Sequence, residues 1–259
     1  MTPQTIRIAG HRGHSVGAPE NTLSAFRKAY ELGGTGVTCE TDLAITSDGE
    51  LILMHDETVD RTTNGHGLVQ DLSYAEIMKL DAGSWFAQEY VGESVPRLKD
   101  ALQLARELGI IYQLKIPIYN RNDEIFQKLK VLISELGCAD LLQFSSFDFA
   151  QLREIKKIIP DVPTVGISHS RLIDPAYIAK EANLDALSIE FYHFPSGEAL
   201  QLHNAGFAVV LGVPCPRYFE SRDERLRSQF IQWVREGQMD QIQSDDVAFM
   251  ARVFQEARS

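Results

Sequence analysis

Leu98-Lys99-Asp100-Ala101-Leu102-Gln103-Leu104-Ala105-Arg106-Glu107-Leu108-Gly109, followed at once by Ile110-Ile111-Tyr112-Gln113-Leu114-Lys115-Ile116, holds one complete helix, stop and strand. Leu98, Leu102 and Ala105 recur at helical spacing, Gly109 stands where a helix ends on a left-handed residue, and Ile111 to Ile116 reads as a strand. Outward from this unit the pattern repeats. Strand runs are expected at Ile6 to Gly10, Val37 to Leu43, Leu141 to Ser146, Thr164 to Ser168, Ala186 to Phe191, Ala208 to Val213 and Gln241 to Ser244, which with Ile111 to Ile116 makes eight. Helical stretches lie between them, and Gly33, Gly137, Gly206 and Gly237 follow such stretches.

Eight strand–helix alternations favour a closed parallel (β/α)8 barrel, although an open doubly wound sheet uses the same local signals. No Gly-x-Gly-x-x-Gly follows the first strand, which weakens the dinucleotide-binding version. At 259 residues the chain suits a single barrel domain, residues 1–259. Two features interrupt the alternation. Ser47-Asp48-Gly49 reads as a hairpin turn into Leu51 to His55, and residues 57–97 read as an insertion carrying an aromatic patch of Trp85, Phe86 and Tyr90.

Apolar residues at 44% and charged residues at 24% leave ample material for a core and argue against disorder. A net charge of −11 opposes binding to nucleic acid or an anionic membrane, so an anionic substrate must meet local positive charge. Cys39, Cys138 and Cys215 are too few and too scattered for a disulfide framework or a cysteine metal cluster. Met1-Thr2-Pro3-Gln4 lacks the marks of a signal peptide, and no apolar run approaches ~18 residues, so a cytoplasmic protein without membrane insertion is expected.

Glu40 and Asp42 are one residue apart on an expected strand, so both point to the same face, which in a barrel is the inside. Two carboxylates there would repel and resist ionisation unless they shared a cation. Gln113 and Lys115 repeat the spacing on the next barrel strand, and a lysine amid Tyr112-Gln113-Leu114-Lys115-Ile116 suits a phosphate oxygen better than a core. His11 and His55 each follow an apolar run, at the strand ends where barrels build active sites. Two imidazoles there could serve as general acid and general base. Of the remaining histidines, His14 and His193 are expected nearest the pocket. Pro19-Glu20-Asn21-Thr22 reads as a turn and helix cap, with Glu20 or Asn21 otherwise orienting a histidine. No nucleophile elbow or P-loop is present.

Together His11-Arg12-Gly13, Pro19-Glu20-Asn21-Thr22-Leu23-Ser24-Ala25-Phe26, Glu40-Thr41-Asp42, Thr46-Ser47-Asp48-Gly49, His55-Asp56, Arg61-Thr62-Thr63, Val95-Pro96-Arg97-Leu98, Lys115 and Ser145-Ser146-Phe147 resemble the glycerophosphodiester phosphodiesterase family. The resemblance implies a distorted (β/α)8 TIM barrel with a small insertion after the second barrel strand. It also implies Mg²⁺- or Ca²⁺-assisted cleavage of a small phosphodiester to a phosphomonoester and an alcohol, within glycerol and lipid metabolism. By the same resemblance His11 and His55 become the acid–base pair, Arg12 and Lys115 the phosphate clamps, and Glu40 and Asp42 the metal ligands. The family's usual third glutamate is here Gln113, a neutral ligand that lowers metal affinity or changes metal choice. A tryptophan-containing segment that commonly ends the seventh strand is here Leu211-Gly212-Val213-Pro214, which leaves the substrate's alcohol open. Sugar phosphodiesters, lysophospholipids in a groove supplied by Trp85, Phe86 and Tyr90, and a barrel that binds a diester without cleaving it are the competing readings.

Overall fold

The computed structural model describes residues 6–118, 121–213 and 224–258. Its strands are β1 (Arg7–His11), β2 (Thr38–Ile45), β3 (Leu51–Leu53), β4 (Ile111–Lys115), β5 (Leu142–Ser146), β6 (Thr164–Ser168), β7 (Ala186–Glu190), β8 (Ala208–Gly212) and β9 (Gln241–Ser244). All but β3 pair in parallel in the ring β1-β2-β4-β5-β6-β7-β8-β9, and β9 closes on β1 through Arg7↔Gln241 to Gly10↔Ser244. This is a (β/α)8 barrel. The strands expected from sequence fall on the barrel strands to within a residue or two.

Helices α1 (Leu23–Gly33), α3 (Leu98–Leu108), α4 (Asn122–Leu136), α5 (Phe149–Ile158), α6 (Pro175–Glu181), α7 (Glu198–Asn204), α8 (Glu224–Glu236) and α9 (Val247–Arg258) follow barrel strands, and α2 (Tyr74–Ile77) is a single turn in the insertion. Side-chain oxygens start several of them: Thr22 accepts from the Ala25 amide, Asp148 from Gln151 and Asp174 from Tyr177. Gly109, at φ 74°, ends α3 and lets the chain turn straight into β4.

The apolar core lies between the strand ring and the helices. Cys39, Leu43, Tyr112, Leu114 and Phe144 point outward into it and meet Phe26, Leu98, Leu102 and Phe126 from the helices. Each such fully buried leucine or phenylalanine stabilises the fold by roughly 1.5–3 kcal/mol. Because strand side chains alternate, Thr38, Glu40, Asp42, Gln113 and Ser145 must then point into the barrel, and all five are buried there. The interior is therefore largely polar, with Val165, Ala186 and Val210 forming a small apolar plug on the β6–β8 side.

β2 runs beyond the ring and turns at Thr46–Glu50, where the Thr46 amide donates to the Glu50 carbonyl at 3.0 Å. β3 then returns antiparallel along it, in the register Leu43↔Leu53. The strand ends at Leu53 rather than at His55, but the Met54 amide still donates to the Asp42 carbonyl at 2.9 Å. The hairpin thus carries His55 back to the level of Asp42. The insertion has its own core of Ile52, Met54, Val59, Val69, Ile77 and Val95. Tyr90 Oη donates to the Gly17 carbonyl, and Ser24 Oγ donates to Glu93 Oε2, so the insertion is pinned to the first βα loop and to α1.

Candidate active site

At the end of β1, His11, Glu40 and Gln113 share one register row, with Asp42 and Lys115 in the row above. Lys115 Nζ ion-pairs with Asp42 Oδ1 and lies 3.9 Å from Glu40 Oε1. Arg12 reaches the same cluster from the first loop. Its backbone amide donates to Glu40 Oε2 at 3.2 Å, its Nε lies 3.5 Å from Asp42 Oδ2, and its Nη1 donates to Glu20 Oε1 at 2.6 Å. Arg12 has φ 56°, a left-handed conformation that costs a non-glycine residue energy. Gly13 follows at φ 84°, and a Cβ there would come within 2.8 Å of the Ala25 backbone. The turn is thus packed tightly against the start of α1, which sets the direction of Arg12.

The two carboxylates are held differently. Burial first, and then the charge of Asp42, pushes the Glu40 carboxyl above its ordinary range against the pull of His11, Lys115 and Arg12. For Asp42 burial acts upward too, but Lys115, Arg12 and the Asn21 amide outweigh it and hold the group ionised. Asn21 Nδ2 donates to Asp42 Oδ2 at 2.9 Å while its Oδ1 accepts from Thr41 Oγ1 and the Asp42 amide. Asn21 therefore orients Asp42, not a histidine, and Thr22 makes the cap.

Each imidazole has a carboxylate on Nδ1. His11 Nδ1 lies 2.7 Å from Asp245 Oδ1, and its Nε2 is 3.8 Å from Glu40 Oε2. Burial lowers the His11 pKa, but the Asp245 bond and the Glu40 charge outweigh that and raise it above the ordinary 6.5. His55 Nδ1 lies 2.7 Å from Asp56 Oδ1. Arg61 donates through Nε to Asp56 Oδ2 at 2.6 Å and through Nη1 and Nη2 to Glu20 at 2.8 Å. Hydrogen bonding to Arg61 chiefly, against some burial, depresses the Asp56 carboxyl to about 2. One chain of charges thus joins both histidines: Asp245, His11, Glu40, Arg12, Glu20, Arg61, Asp56 and His55.

A cavity of about 290 Å³ opens over His11, Glu40 and Lys115 and reaches the ends of β6, β7 and β8. His55 borders a smaller cleft on the other flank, with Glu20, Asn21 and Met54. A cavity of about 320 Å³ beside Phe194, Leu200 and Trp233 is mostly apolar, with His203 its lone titratable lining residue among the described residues, whereas His11, Glu40, Lys115, His169, Glu190 and Asp245 gather at the barrel mouth. Among the described residues no three His, Cys, Asp or Glu side chains are grouped to hold a metal ion. Two buried oxygen-donor carboxylates are present, with the Lys115 ammonium between them, which is a donor set suited to a hard cation. Gln113 Oε1 accepts from Gln241 Nε2 at 2.6 Å, and its Nε2 donates to Gln243 at 3.4 Å, so its amide is engaged by β9.

A family model of glycerophosphoryl diester phosphodiesterases matches residues 11–246. The chain belongs to that family. It is 37% identical over 195 residues to the glycerophosphodiester phosphodiesterase of Caldanaerobacter subterraneus, covering 74% of this chain and 77% of that one. Among solved structures, an Oleispira antarctica phosphodiesterase in complex with the product sn-glycerol-3-phosphate superposes with a TM-score of 0.79 at 26% identity, over 97% of this chain and 96% of that one. The glycerophosphodiester phosphodiesterase of Agrobacterium tumefaciens has a TM-score of 0.78 at 26% identity, over 96% of this chain and all of that one. Members of the glycerophosphoryl diester phosphodiesterase family are phosphoric diester hydrolases, and this chain is one of them.

Several site features escape the sequence reading. Asp245, just after β9, lies 234 residues from its partner His11. His14, expected near the pocket, is instead buried, and its Nδ1 accepts from the Val247 amide at the start of α9. Gly17 makes room for it, since a Cβ there would lie 2.7 Å from the ring. His193 contacts the His169 carbonyl, and it is His169 that borders the cavity. The aromatic patch packs on itself and on Gly17, outside the cavity. Gly212 and Val213 do line the cavity, while Pro214 and Cys215 lie outside the described residues.

Burial of His14, aided by Lys28 and opposed by Asp246, lowers its pKa below 6.5. Folding therefore favours the neutral ring, and this contribution is complete above pH 6.5 and lost as pH falls through 6.5 toward the folded value. His14→Gln is expected to cost about 1 kcal/mol at pH 8 and less at pH 5. Urea midpoints of both proteins at the two pH values measure this, and a gap that widens on acidification would contradict it.

Proposed function

We propose that the chain hydrolyses a small, water-soluble glycerophosphodiester to a phosphomonoester and an alcohol, with His11 and His55 as the acid–base pair. The observation that carries this is the matched pair of imidazole–carboxylate contacts, His11 with Asp245 and His55 with Asp56, on either side of the Glu40, Asp42, Arg12 and Lys115 cluster. A carboxylate accepting from Nδ1–H leaves Nε2 as the reactive nitrogen. One imidazole takes the proton from the attacking oxygen, of water or of a substrate hydroxyl next to the ester, as that oxygen bonds to phosphorus. The other, as imidazolium, gives its proton to the departing alkoxide as the P–O bond breaks, so the pair exchanges protonation states over the step. Where the hydroxyl attacks, water then opens the cyclic phosphate to the monoester. Arg12 and Lys115 supply positive charge to the phosphate oxygens in a protein whose net charge is −11.

Glu40 and Asp42 are the residues that would hold a divalent cation, Mg²⁺ or Ca²⁺, with Gln113, whose amide oxygen here accepts from Gln241, as a neutral third contact through its second lone pair or a water it holds. When bound, such an ion neutralises charge on the phosphate oxygens. Lys115 already balances part of the carboxylate charge, which supports a site of modest affinity. Gln113→Glu is expected to tighten Mg²⁺ and Ca²⁺ binding, by about tenfold for one added carboxylate on a hard cation. Calorimetric titration of both proteins measures this directly. Unchanged affinity, or full wild-type turnover in excess chelator, would defeat the cation assignment.

A further inference from the structure

The proposed acid–base pair leaves one wall of the mouth cavity without a role. β6 stands opposite β1 in the eight-membered ring, so His169, just past the end of β6, faces His11 across the barrel. His169 Nδ1 lies 2.5 Å from Oε1 of Glu190, the last residue of β7. Its ring stacks on Phe147 with centroids 4.8 Å apart and planes at 35°, and His193 Nε2 lies 3.3 Å from its carbonyl oxygen. Glu190, His169, Phe147 and Tyr192 all border the cavity. The Glu190 carboxylate is one-third exposed.

A carboxylate on Nδ1 leaves His169 Nε2 as a hydrogen-bond acceptor, and the second Glu190 oxygen is another. Among the described residues that line the cavity Lys115 is the one lysine or arginine, and it is engaged with Asp42 and Glu40, although its Nζ lies 6.0 Å from the Phe147 ring centroid. This wall therefore offers acceptors, one negative charge and aromatic surface. That combination fits a group with several N–H donors, a positive charge and a short methylene stem. We propose that it is an ammonium subsite, through which the enzyme selects diesters whose departing alcohol is an amino alcohol over those that release a neutral polyol. Glu190 and His169 are its specificity-determining residues. The inference rests on the phosphodiesterase reading above, which places a diester between His11 and His55.

The test compares kcat/KM for glycerophosphoethanolamine and glycerophosphoglycerol, which share the glycerol phosphate half and differ in the charge of the other. Wild type is expected to favour the amine by about tenfold, the scale of one charge-assisted hydrogen bond. In Glu190→Gln the ratio is expected to fall to about one, and Glu190→Asp should keep part of it. A purely structural role would lower both values and preserve the ratio, which overturns the proposal. So does a wild-type enzyme that cleaves both diesters with a ratio near one. A wild-type enzyme inert on both would sink the phosphodiesterase reading itself, and this subsite with it.

Discussion

His55→Ala is expected to lower kcat on the best glycerophosphodiester by about 10²- to 10⁴-fold, and His11→Ala to do the same, with both proteins folded. Neither ring belongs to the apolar core, and each is about one-third exposed, so truncation removes a proton-transfer group and little packing. The two losses should differ in their side effects. His11 touches Asp245 and approaches Glu40, so its removal frees two carboxylates beside the proposed cation site. His55 hangs from the hairpin, and its partner Asp56 keeps the Arg61 fork in its absence. His55→Ala should therefore leave KM nearer the wild-type value than His11→Ala does. Steady-state kinetics with circular dichroism as a fold control measures both. Near-wild-type kcat in either variant would remove that residue from the acid–base pair.

Asp42→Asn is expected to have the second large effect, this time on stability as well as on turnover. The side chain is almost fully buried and faces Lys115 and Arg12, both themselves mostly buried. An amide of the same shape keeps the Asn21 neighbour but takes the nearest carboxylate from Lys115, leaving it Glu40 at 3.9 Å, and leaves Arg12 with Glu20 alone among the described residues as its side-chain ion-pair partner. Removing one member of such a buried pair costs about 3–5 kcal/mol. Turnover should fall at least as far as in the histidine variants, because the phosphate clamps and the proposed cation both depend on this carboxylate. Urea unfolding at neutral pH reads the first effect. A loss under about 1 kcal/mol would mean that Lys115 and Arg12 are solvated rather than held by Asp42.

Much of this architecture was legible because it is written in short-range periodicity. β4 and the helix before it could be read from Leu98, Leu102, Ala105, Gly109 and the run to Ile116, since the residues that form them also bury them. The Glu40 and Asp42 pair was legible for the same reason, as period two alone puts both on one face. What stayed hidden depends on closure of the ring. Asp245 meets His11 only because β9 pairs with β1, and Glu190 meets His169 only because β6 and β7 are neighbours at the mouth. Sequence places His14 and His193 nearest the pocket, whereas His169 is the one of the three that borders it. His14 and His169 both follow strands by a few residues, but the tight Arg12-Gly13 turn and the space left by Gly17 fold His14 inward, whereas His169 continues off β6 into the cavity. His55 was found by its place after an apolar run, while the means of its arrival, an antiparallel return from a hairpin outside the ring, needed the structure.

The most direct test of the proposed chemistry is to identify which bond of a glycerophosphodiester breaks. Phosphorus NMR of the wild-type protein with glycerophosphoethanolamine and a divalent cation should show conversion to glycerol phosphate, with free ethanolamine released in equal amount and the reaction blocked by chelator. An unchanged diester resonance, or release of phosphoethanolamine in place of glycerol phosphate, would contradict it.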